Sequence, residues 1–72
     1  SIFLALIFSV QLAAQTASAF LSSGTIKMKI KNYRGAADDF SKAIELDPNF
    51  VDAYISRAQT FQYLNDYYAA IR

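Results

Sequence analysis

The carboxylates are the residues of this chain whose spacing could support acid–base chemistry, and they form two close groups. Asp38 adjoins Asp39, and Glu45 lies two residues before Asp47. General acid–base catalysis needs carboxyl groups whose pKa values are tuned by a desolvated pocket. Helical spacing places both groups on the flanks of an apolar stripe, where we expect solvated charges. The sequence therefore predicts no catalytic role for them.

Other residue types that carry catalysis or bind metals are missing from the sequence. The 72 residues contain no cysteine and no histidine, which removes thiolate and imidazole ligands and the commonest general base. Ser22 and Ser23 consequently have no histidine partner for nucleophilic catalysis. Gly24 and Gly35 are isolated from each other and form no phosphate-binding loop. We predict that the chain is not an enzyme and binds no metal or cofactor.

Four cations lie close together in the sequence: Lys27, Lys29, Lys31 and Arg34. Phosphate recognition requires several cations on one face, whereas this alternating spacing distributes them around a helix axis. The acidic residues that follow offset them, and the net charge of the chain is +1. We predict no nucleic-acid partner and interpret the cluster as a solvated flank, with contact to an acidic lipid or peptide as the alternative.

The first third of the chain is apolar, since residues 1–26 carry no charge and residues 2–14 are the most hydrophobic part. Three interpretations remain open: a cleaved signal peptide, an uncleaved membrane anchor, and a buried helix of an upstream repeat. Ala17-Ser18-Ala19 matches a signal-peptidase site, which favours a signal peptide or anchor over residues 1–19. We therefore expect an exported (periplasmic, secreted or lumenal) or membrane-anchored protein rather than a cytoplasmic one, with possible membrane association through residues 2–14.

After the apolar segment, short interruptions separate helical patterns. We predict a first helix over about 17–30 and a second over about 33–46, with Asn32 as the N-cap between them. The second helix carries an apolar stripe at helical period. Its members are Tyr33, Ala36, Ala37, Phe40, Ala43 and Ile44. Asp38 and Lys42 are spaced for an i,i+4 ion pair on its outer side.

The second half of the chain predicts two more helices. Pro48 ends the second helix and suits the first turn of a third, over about 49–64, with Asp47 as its cap. Asn65-Asp66 predicts another turn, and Tyr67 then opens a fourth helix and belongs to the core. The turns thus divide the chain into helix pairs.

The chain resembles itself after a shift of 34 positions. Identical residues then coincide: Ala19 with Ala53, Ser22 with Ser56, Tyr33 with Tyr67, and Ala36 with Ala70. A repeat of this length containing two helices is the signature of tetratricopeptide repeats.

Residues 17–72 resemble the tetratricopeptide repeat family in detail. The positions that match its packing signature are Phe20, Gly24, Ala36, Phe40, Ala43, Pro48, Tyr54, Ala58, Phe61 and Ala70. Ser23 and Lys27 depart from the family pattern, which has large apolar residues there, and we expect them to weaken packing. The resemblance implies an all-α fold of antiparallel helix-turn-helix repeats, a fragment of an α-solenoid preceded by the apolar helix. A first unit would cover 17–50 and a truncated second unit 51–72, with further repeats in the full-length chain.

The resemblance also implies a protein-interaction scaffold whose first helices line a concave groove for a peptide or partner helix. The matching groove positions are Leu21, Thr25, Met28, Ile55, Gln59 and Gln62. Chaperone-binding members hold a terminal carboxylate with lysine and asparagine, whereas the matching places here are Leu21, Thr25 and Ser56, so we expect no chaperone-tail binding. The alternatives are a membrane-tethered or exported assembly factor, and a recruitment module of a larger enzyme.

Overall fold

Three helices make up the part of the chain that the computed structural model describes, residues 2–71. They are α1 (Ile2–Lys29), α2 (Tyr33–Leu46) and α3 (Val51–Ile71). Successive helices run antiparallel, and these residues contain no strand. The molecule measures 58 × 18 × 13 Å, because the first half of α1 projects beyond the other helices. The predicted all-α helix-turn-helix architecture with an N-terminal apolar helix is confirmed.

The turn between α1 and α2 satisfies the backbone groups at both helix ends. The N–H of Asn32 donates to the carbonyl of Lys27 at 2.8 Å, and that of Lys31 donates to Met28 at 3.0 Å. This pair of bonds is a Schellman motif, and Lys31 occupies its left-handed position at φ 64°. Asn32 then accepts the N–H of Gly35 on its side-chain oxygen at 3.2 Å, which confirms the predicted N-cap.

The turn between α2 and α3 differs from the prediction that α3 begins near residue 49. The N–H of Asp47 donates to Ala43 at 2.9 Å and closes α2. The Asp47 side chain accepts the N–H of Asn49 at 3.2 Å, so it stabilises the turn and does not act as the N-cap of α3. Pro48 therefore lies in the turn, and α3 begins at Val51.

The predicted turn at Asn65-Asp66 does not form, because α3 continues through both residues to Ile71. Neither residue is a proline and neither adopts positive φ, so the backbone has no local preference for a turn there. The predicted core position of Tyr67 is therefore wrong, as its side chain is 55 % exposed. Because α3 continues through the predicted turn, residues 67–71 belong to α3 and form no separate fourth helix.

The first helix is longer than predicted, because the apolar segment and the helix expected from residue 17 are one element. Helix α1 continues without interruption through residues 2–29. It is the one helix among the described residues whose length and composition suffice to cross a membrane. Signal sequences share these properties.

Small residues form the core and allow the helices to approach closely. Its buried apolar members are Ala17, Ala36, Ala37, Phe40, Ala43 and Ala53. Phe40 is 1 % exposed, and its ring packs on Gly24, where an added Cβ would lie 2.6 Å from the Phe40 Cε1 atom. Half-buried side chains pack around the alanines: Phe20, Leu21, Ile44 and Phe50.

The signature residues of the second unit are exposed, whereas those of the first unit other than Pro48 are buried or half-buried. Tyr54 is 41 % exposed and Phe61 is 51 % exposed, and the small side chains of Ala58 and Ala70 also face outward. No helix covers this side of α3 among residues 2–71. The packing residues of the first repeat are thus covered by neighbouring helices, whereas those of the second repeat are accessible to solvent.

Candidate partner-binding face

Helices α1 and α3 run in the same direction and meet along one side of the molecule. Thr60 on α3 is fully buried, and its hydroxyl lies 3.1 Å from the sulfur of Met28 on α1. The same hydroxyl donates to the carbonyl of Ser56 at 2.7 Å. Nearer the N-terminal ends of the contacting parts of α1 and α3, Leu21 packs against the alanine cluster that contains Ala53. These contacts set the two helices side by side and define a shallow face between them.

The α1 side of this face holds three of the predicted groove residues at i, i+4 and i+7 spacing. Leu21 and Met28 are half-buried against the neighbouring helices. Thr25 lies between them and is exposed, and its hydroxyl donates to the carbonyl of Leu21 at 2.9 Å. On the α1 side, Thr25 is therefore accessible to a partner, whereas Leu21 and Met28 mainly contact the neighbouring helices.

The α3 side holds the other three predicted residues with the same spacing, and it is open. Ile55 is 52 % exposed, and Gln59 and Gln62 are also exposed. The two glutamines line a shallow pocket together with Tyr63 and Asp66. An apolar residue next to two amides can contact both the side chains and the backbone of a bound peptide. The binding role of all six residues stays a prediction.

Between α1 and α2 lies a buried polar cluster that the sequence interpretation missed. Asp39 is 6 % exposed, so the expectation of a solvated carboxylate is wrong for it, whereas Asp38 is exposed. The Ser23 hydroxyl donates to Asp39 Oδ2 at 2.7 Å, and Lys27 Nζ lies 3.0 Å from the same oxygen. A buried carboxylate needs such partners, since an unpaired charge away from water is costly.

The pKa of Asp39 reflects this environment. Burial on its own would raise the pKa, but hydrogen bonds from Ser23 and Lys27 and the charges of Lys27 and Lys42 outweigh burial. The pKa of Asp39 is therefore held below its ordinary value. The carboxylate is ionised at neutral pH and serves as a structural anion between α1 and α2.

The cluster explains the two departures from the family pattern. Ser23 and Lys27 replace large apolar residues, and both bind Asp39 instead of leaving a gap. Ser23 and Lys27 are four residues apart at packing positions, and this polar pair in the sequence could have indicated a charged residue on the helix that packs against them. The predicted Asp38–Lys42 pair does not form, because Lys42 Nζ lies 5.5 Å from the centre of the Phe20 ring.

Aromatic contacts join α2 to the far half of α3. Arg34 donates from Nε to the Tyr68 hydroxyl at 2.8 Å, and Nη2 donates to the same oxygen. The hydrogen bond to Tyr68 raises the pKa of Arg34. Tyr33 stacks on Tyr63 with ring centres 5.4 Å apart and planes 9° apart. Of the four clustered cations, Lys27 and Arg34 are thus engaged within the fold.

Residues 2–71 contain no group of three or more side chains arranged to hold a metal ion. The geometry instead defines a class of protein: antiparallel helix pairs stacked through alanine and glycine, with the first helix of each pair on a common face. Two tetratricopeptide repeat family models match the sequence, one over residues 17–50 and the other over residues 40–72. The chain belongs to the tetratricopeptide repeat family.

Relatives with curated descriptions support this assignment. The chain is 30% identical to sperm-associated antigen 1 of Rattus norvegicus over 59 residues, which cover 82% of this chain and 7% of that protein. It is 34% identical to the Mus musculus protein of the same name over 59 residues, or 82% of this chain and 6% of the relative. It is 30% identical to DnaJ homolog subfamily C member 7 of Homo sapiens over 56 residues, or 78% and 11%.

The chain spans about a tenth or less of the length of these relatives. No solved structure matches the chain significantly. The similarity therefore concerns the repeat. Tetratricopeptide repeats form protein–protein interaction modules, and the family is typically non-enzymatic.

Proposed function

We propose that the chain is a protein-interaction scaffold that binds a peptide or partner helix on the face between α1 and α3. The observation that supports this most is the open stripe of Ile55, Gln59 and Gln62 on α3. It runs parallel to Leu21, Thr25 and Met28 on α1. An exposed apolar residue followed by two amides on one stripe offers a partner both buried area and hydrogen bonds.

The chemistry of the face indicates the partner. No lysine or arginine belongs to the six groove positions, so the face does not select a terminal carboxylate by charge. Its amides and Thr25 favour a neutral, amphipathic segment that inserts apolar side chains beside Ile55.

A photo-crosslinking amino acid at Gln59 tests the proposed face in extracts of the source cells. We expect a defined crosslinked protein from position 59 and none from position 45, because Glu45 is exposed on α2 away from α1 and α3. Crosslinking of the same protein from both positions would contradict the assignment of the face.

The captured protein then allows an affinity test. We expect Ile55→Asp to weaken its binding by about 30-fold or more, since truncation of a central contact typically costs about 2 kcal/mol. Glu45→Lys is the control and should leave the affinity unchanged. Equal affinities for the native chain and Ile55→Asp would refute the proposed role of α3.

A second proposal is that the scaffold is tethered to a membrane. The specific observation is the projecting half of α1, whose large apolar side chains are exposed, among them Phe8 at 74 %. Exposed apolar surface of this extent marks a membrane or protein contact. Fractionation of cells that produce the chain tests it: the native chain should sediment with membranes and resist extraction by high salt.

A further inference from the structure

We propose that residues 2–16 of α1 insert into the hydrocarbon of a lipid bilayer and remain in the mature chain as one helix with the repeat. The repeat would then face the membrane with its α2–α3 turn and point its α1–α2 turn away. This inference rests on the membrane tether advanced above and adds the depth, the retention and the orientation.

The first two turns of α1, residues 2–8, are apolar on every side. Consecutive helix residues point about 100° apart, so Leu6, Ile7 and Phe8 cover most of the circumference. All three are more than half exposed, and residues 1–26 carry no charge. A protein groove covers one side of a helix, whereas acyl chains surround it, so all-round apolarity favours lipid.

The hydroxyl groups of Ser9 and Thr16 are already hydrogen-bonded within the helix. The Ser9 hydroxyl donates to the carbonyl of Ala5 at 3.0 Å, and the Thr16 hydroxyl donates to Leu12 at 2.8 Å. A hydroxyl bonded to its own helix loses less when it leaves water for hydrocarbon. The segment can therefore enter lipid without exposing these donors.

The burial of Ala17 limits the depth of insertion. Ala17 is fully buried against Ala43 and Ala53, so it needs protein around it and marks the limit of the lipid-facing part. Residues 2–16 measure about 22 Å at about 1.5 Å per residue. The bilayer boundary therefore lies no further along the chain than Thr16.

The packing of Ala17 also favours retention of the apolar segment in the mature chain. Cleavage after Ala19 would remove Ala17 from the core and cut α1 between two turns that pack on α2 and α3. A processed chain beginning at Phe20 would lose that closing contact. The fold itself thus uses part of the segment that a signal peptidase would remove, which favours an uncleaved anchor.

The orientation follows from the antiparallel packing. The base of the repeat, beside Ala17, is formed by the α2–α3 turn and carries Glu45, Asp47 and Asp52. Lys29 and Lys31 lie at the opposite end, roughly 20 Å further along α1 by its rise per residue. This distance exceeds the Debye length of about 8 Å at physiological salt, so the cations contribute little to lipid attraction.

Single-cysteine spin labels test depth and orientation directly, because the native chain contains no cysteine. The labelled positions are Phe8→Cys, Asn49→Cys and Lys29→Cys in the full chain on phosphatidylcholine vesicles. We expect the label at 8 to be protected from a water-soluble nickel chelate and accessible to oxygen. The label at 49 should lie nearer the surface than the label at 29. Full chelate access at position 8, or the reverse order of 49 and 29, would overturn the proposal.

Flotation with the same vesicles tests the apolar contact with a matched pair. The double variant Leu6→Glu, Val10→Glu should bind on the order of a hundredfold more weakly, because acidic residues are costly in hydrocarbon. The control Ile26→Glu adds a charge to an exposed apolar residue of the same helix, within the repeat, and should float like the native chain. Raising the salt from about 0.1 M to about 1 M should leave flotation unchanged.

Two outcomes separate this inference from the scaffold proposal. Crosslinking from Gln59 should persist in the Leu6→Glu, Val10→Glu variant, so loss of membrane binding alone leaves the partner face intact. The intact mass of the chain recovered from cell membranes should include residues 2–19. A chain that begins at Phe20, or native protein that fails to float, refutes the inference whatever the partner test gives.

Discussion

At the scale of the residue, Asp39 changes the interpretation of the first repeat. Its carboxylate lies between α1 and α2 where the family usually places apolar contacts, and Ser23 and Lys27 supply its partners. A buried anion with a hydrogen bond and an ion pair is specific in geometry, because either partner alone leaves charge unsatisfied. We infer that this cluster fixes the register between the two helices.

Replacing Asp39 with asparagine tests the cluster. We expect Asp39→Asn to lower the free energy of unfolding at neutral pH by about 1 to 3 kcal/mol, because charge-assisted hydrogen bonds weaken. Urea denaturation measures this change. Asp38→Asn is the matched control, since Asp38 is exposed, and should change stability by less than about 0.5 kcal/mol.

The lowered pKa of Asp39 also predicts a pH dependence. Since the pKa is lower in the folded than in the unfolded chain, the stabilisation is complete above the unfolded value of about 3.9. It is lost as the pH falls through the folded pKa. The stability difference between native chain and Asp39→Asn should therefore shrink below about pH 4. A difference that grows on acidification would contradict this.

The Gly24–Phe40 contact gives a second prediction for single residues. A Cβ at position 24 would meet the Phe40 ring at 2.6 Å, and that ring is too buried to move aside. We expect Gly24→Ala to destabilise the fold by about 1 kcal/mol, since overpacking exceeds the gain in helix propensity. Thermal or urea unfolding measures the loss.

A smaller side chain at position 40 should remove the destabilisation caused by Gly24→Ala. In a Phe40→Leu background, Gly24→Ala should be neutral or stabilising, because the added methyl fills vacated space. The coupling in this double-mutant cycle isolates the contact from helix propensity. Equal costs in both backgrounds would show that the close approach does not limit the packing.

At the scale of the element, the two turns are built differently. The α1–α2 turn uses a left-handed residue, Lys31, and the N-cap Asn32. The α2–α3 turn uses Pro48 and the side chain of Asp47. Asn65-Asp66 has neither feature, and α3 continues through both residues. A turn therefore needs a local backbone preference or a packed neighbour, and a repeat pattern alone does not create one.

Glycine at position 31 should stabilise the first turn. Because L-residues pay about 1 to 2 kcal/mol in left-handed geometry, Lys31→Gly should raise the free energy of unfolding by up to about 1 kcal/mol. The same change two residues earlier, Lys29→Gly, lies within the last turn of α1 and should destabilise by about 0.5 to 1 kcal/mol. Opposite signs of the two effects are the decisive result of the unfolding measurement.

At the scale of the whole molecule, a small core supports a long exposed surface. The six buried apolar residues are five alanines and Phe40, which bury little area. Tyr54 and Phe61 face outward on α3, where a further helix of a stacked repeat would pack. Solenoid stability is roughly a sum over units and their interfaces.

Extension of the chain tests this view of the α3 surface. Adding one tetratricopeptide repeat after residue 72 should raise the urea midpoint and bury Phe61, since stacked units share their interfaces. Quenching of Tyr fluorescence by iodide should fall at the same time. A chain extended with a disordered linker of equal length is the control. Identical midpoints for both extensions would contradict the need for a neighbouring unit.

The sequence by itself determined the elements whose signals are local. The stripe from Tyr33 to Ile44 and the cap at Asn32 placed α2 at its observed bounds, because helix period and capping depend on neighbouring residues. The spacing of Gly24, Phe40 and Ala43 likewise indicated the repeat family. The six groove positions were also assigned from the repeat pattern, and their role in binding stays a prediction.

Only the tertiary structure decided the features that depend on residues far apart in the chain. The partners of Asp39 lie 12 and 16 positions away, on another helix, so its burial follows from how α1 packs on α2. Whether the chain turns at Asn65 depends on packing with other helices, and in this structure α3 continues through it. The apolar segment and the first repeat helix form one continuous helix, and Ala17 within it packs in the core. Local propensity sets where helices form, and long-range packing decides where they end and which charges they bury.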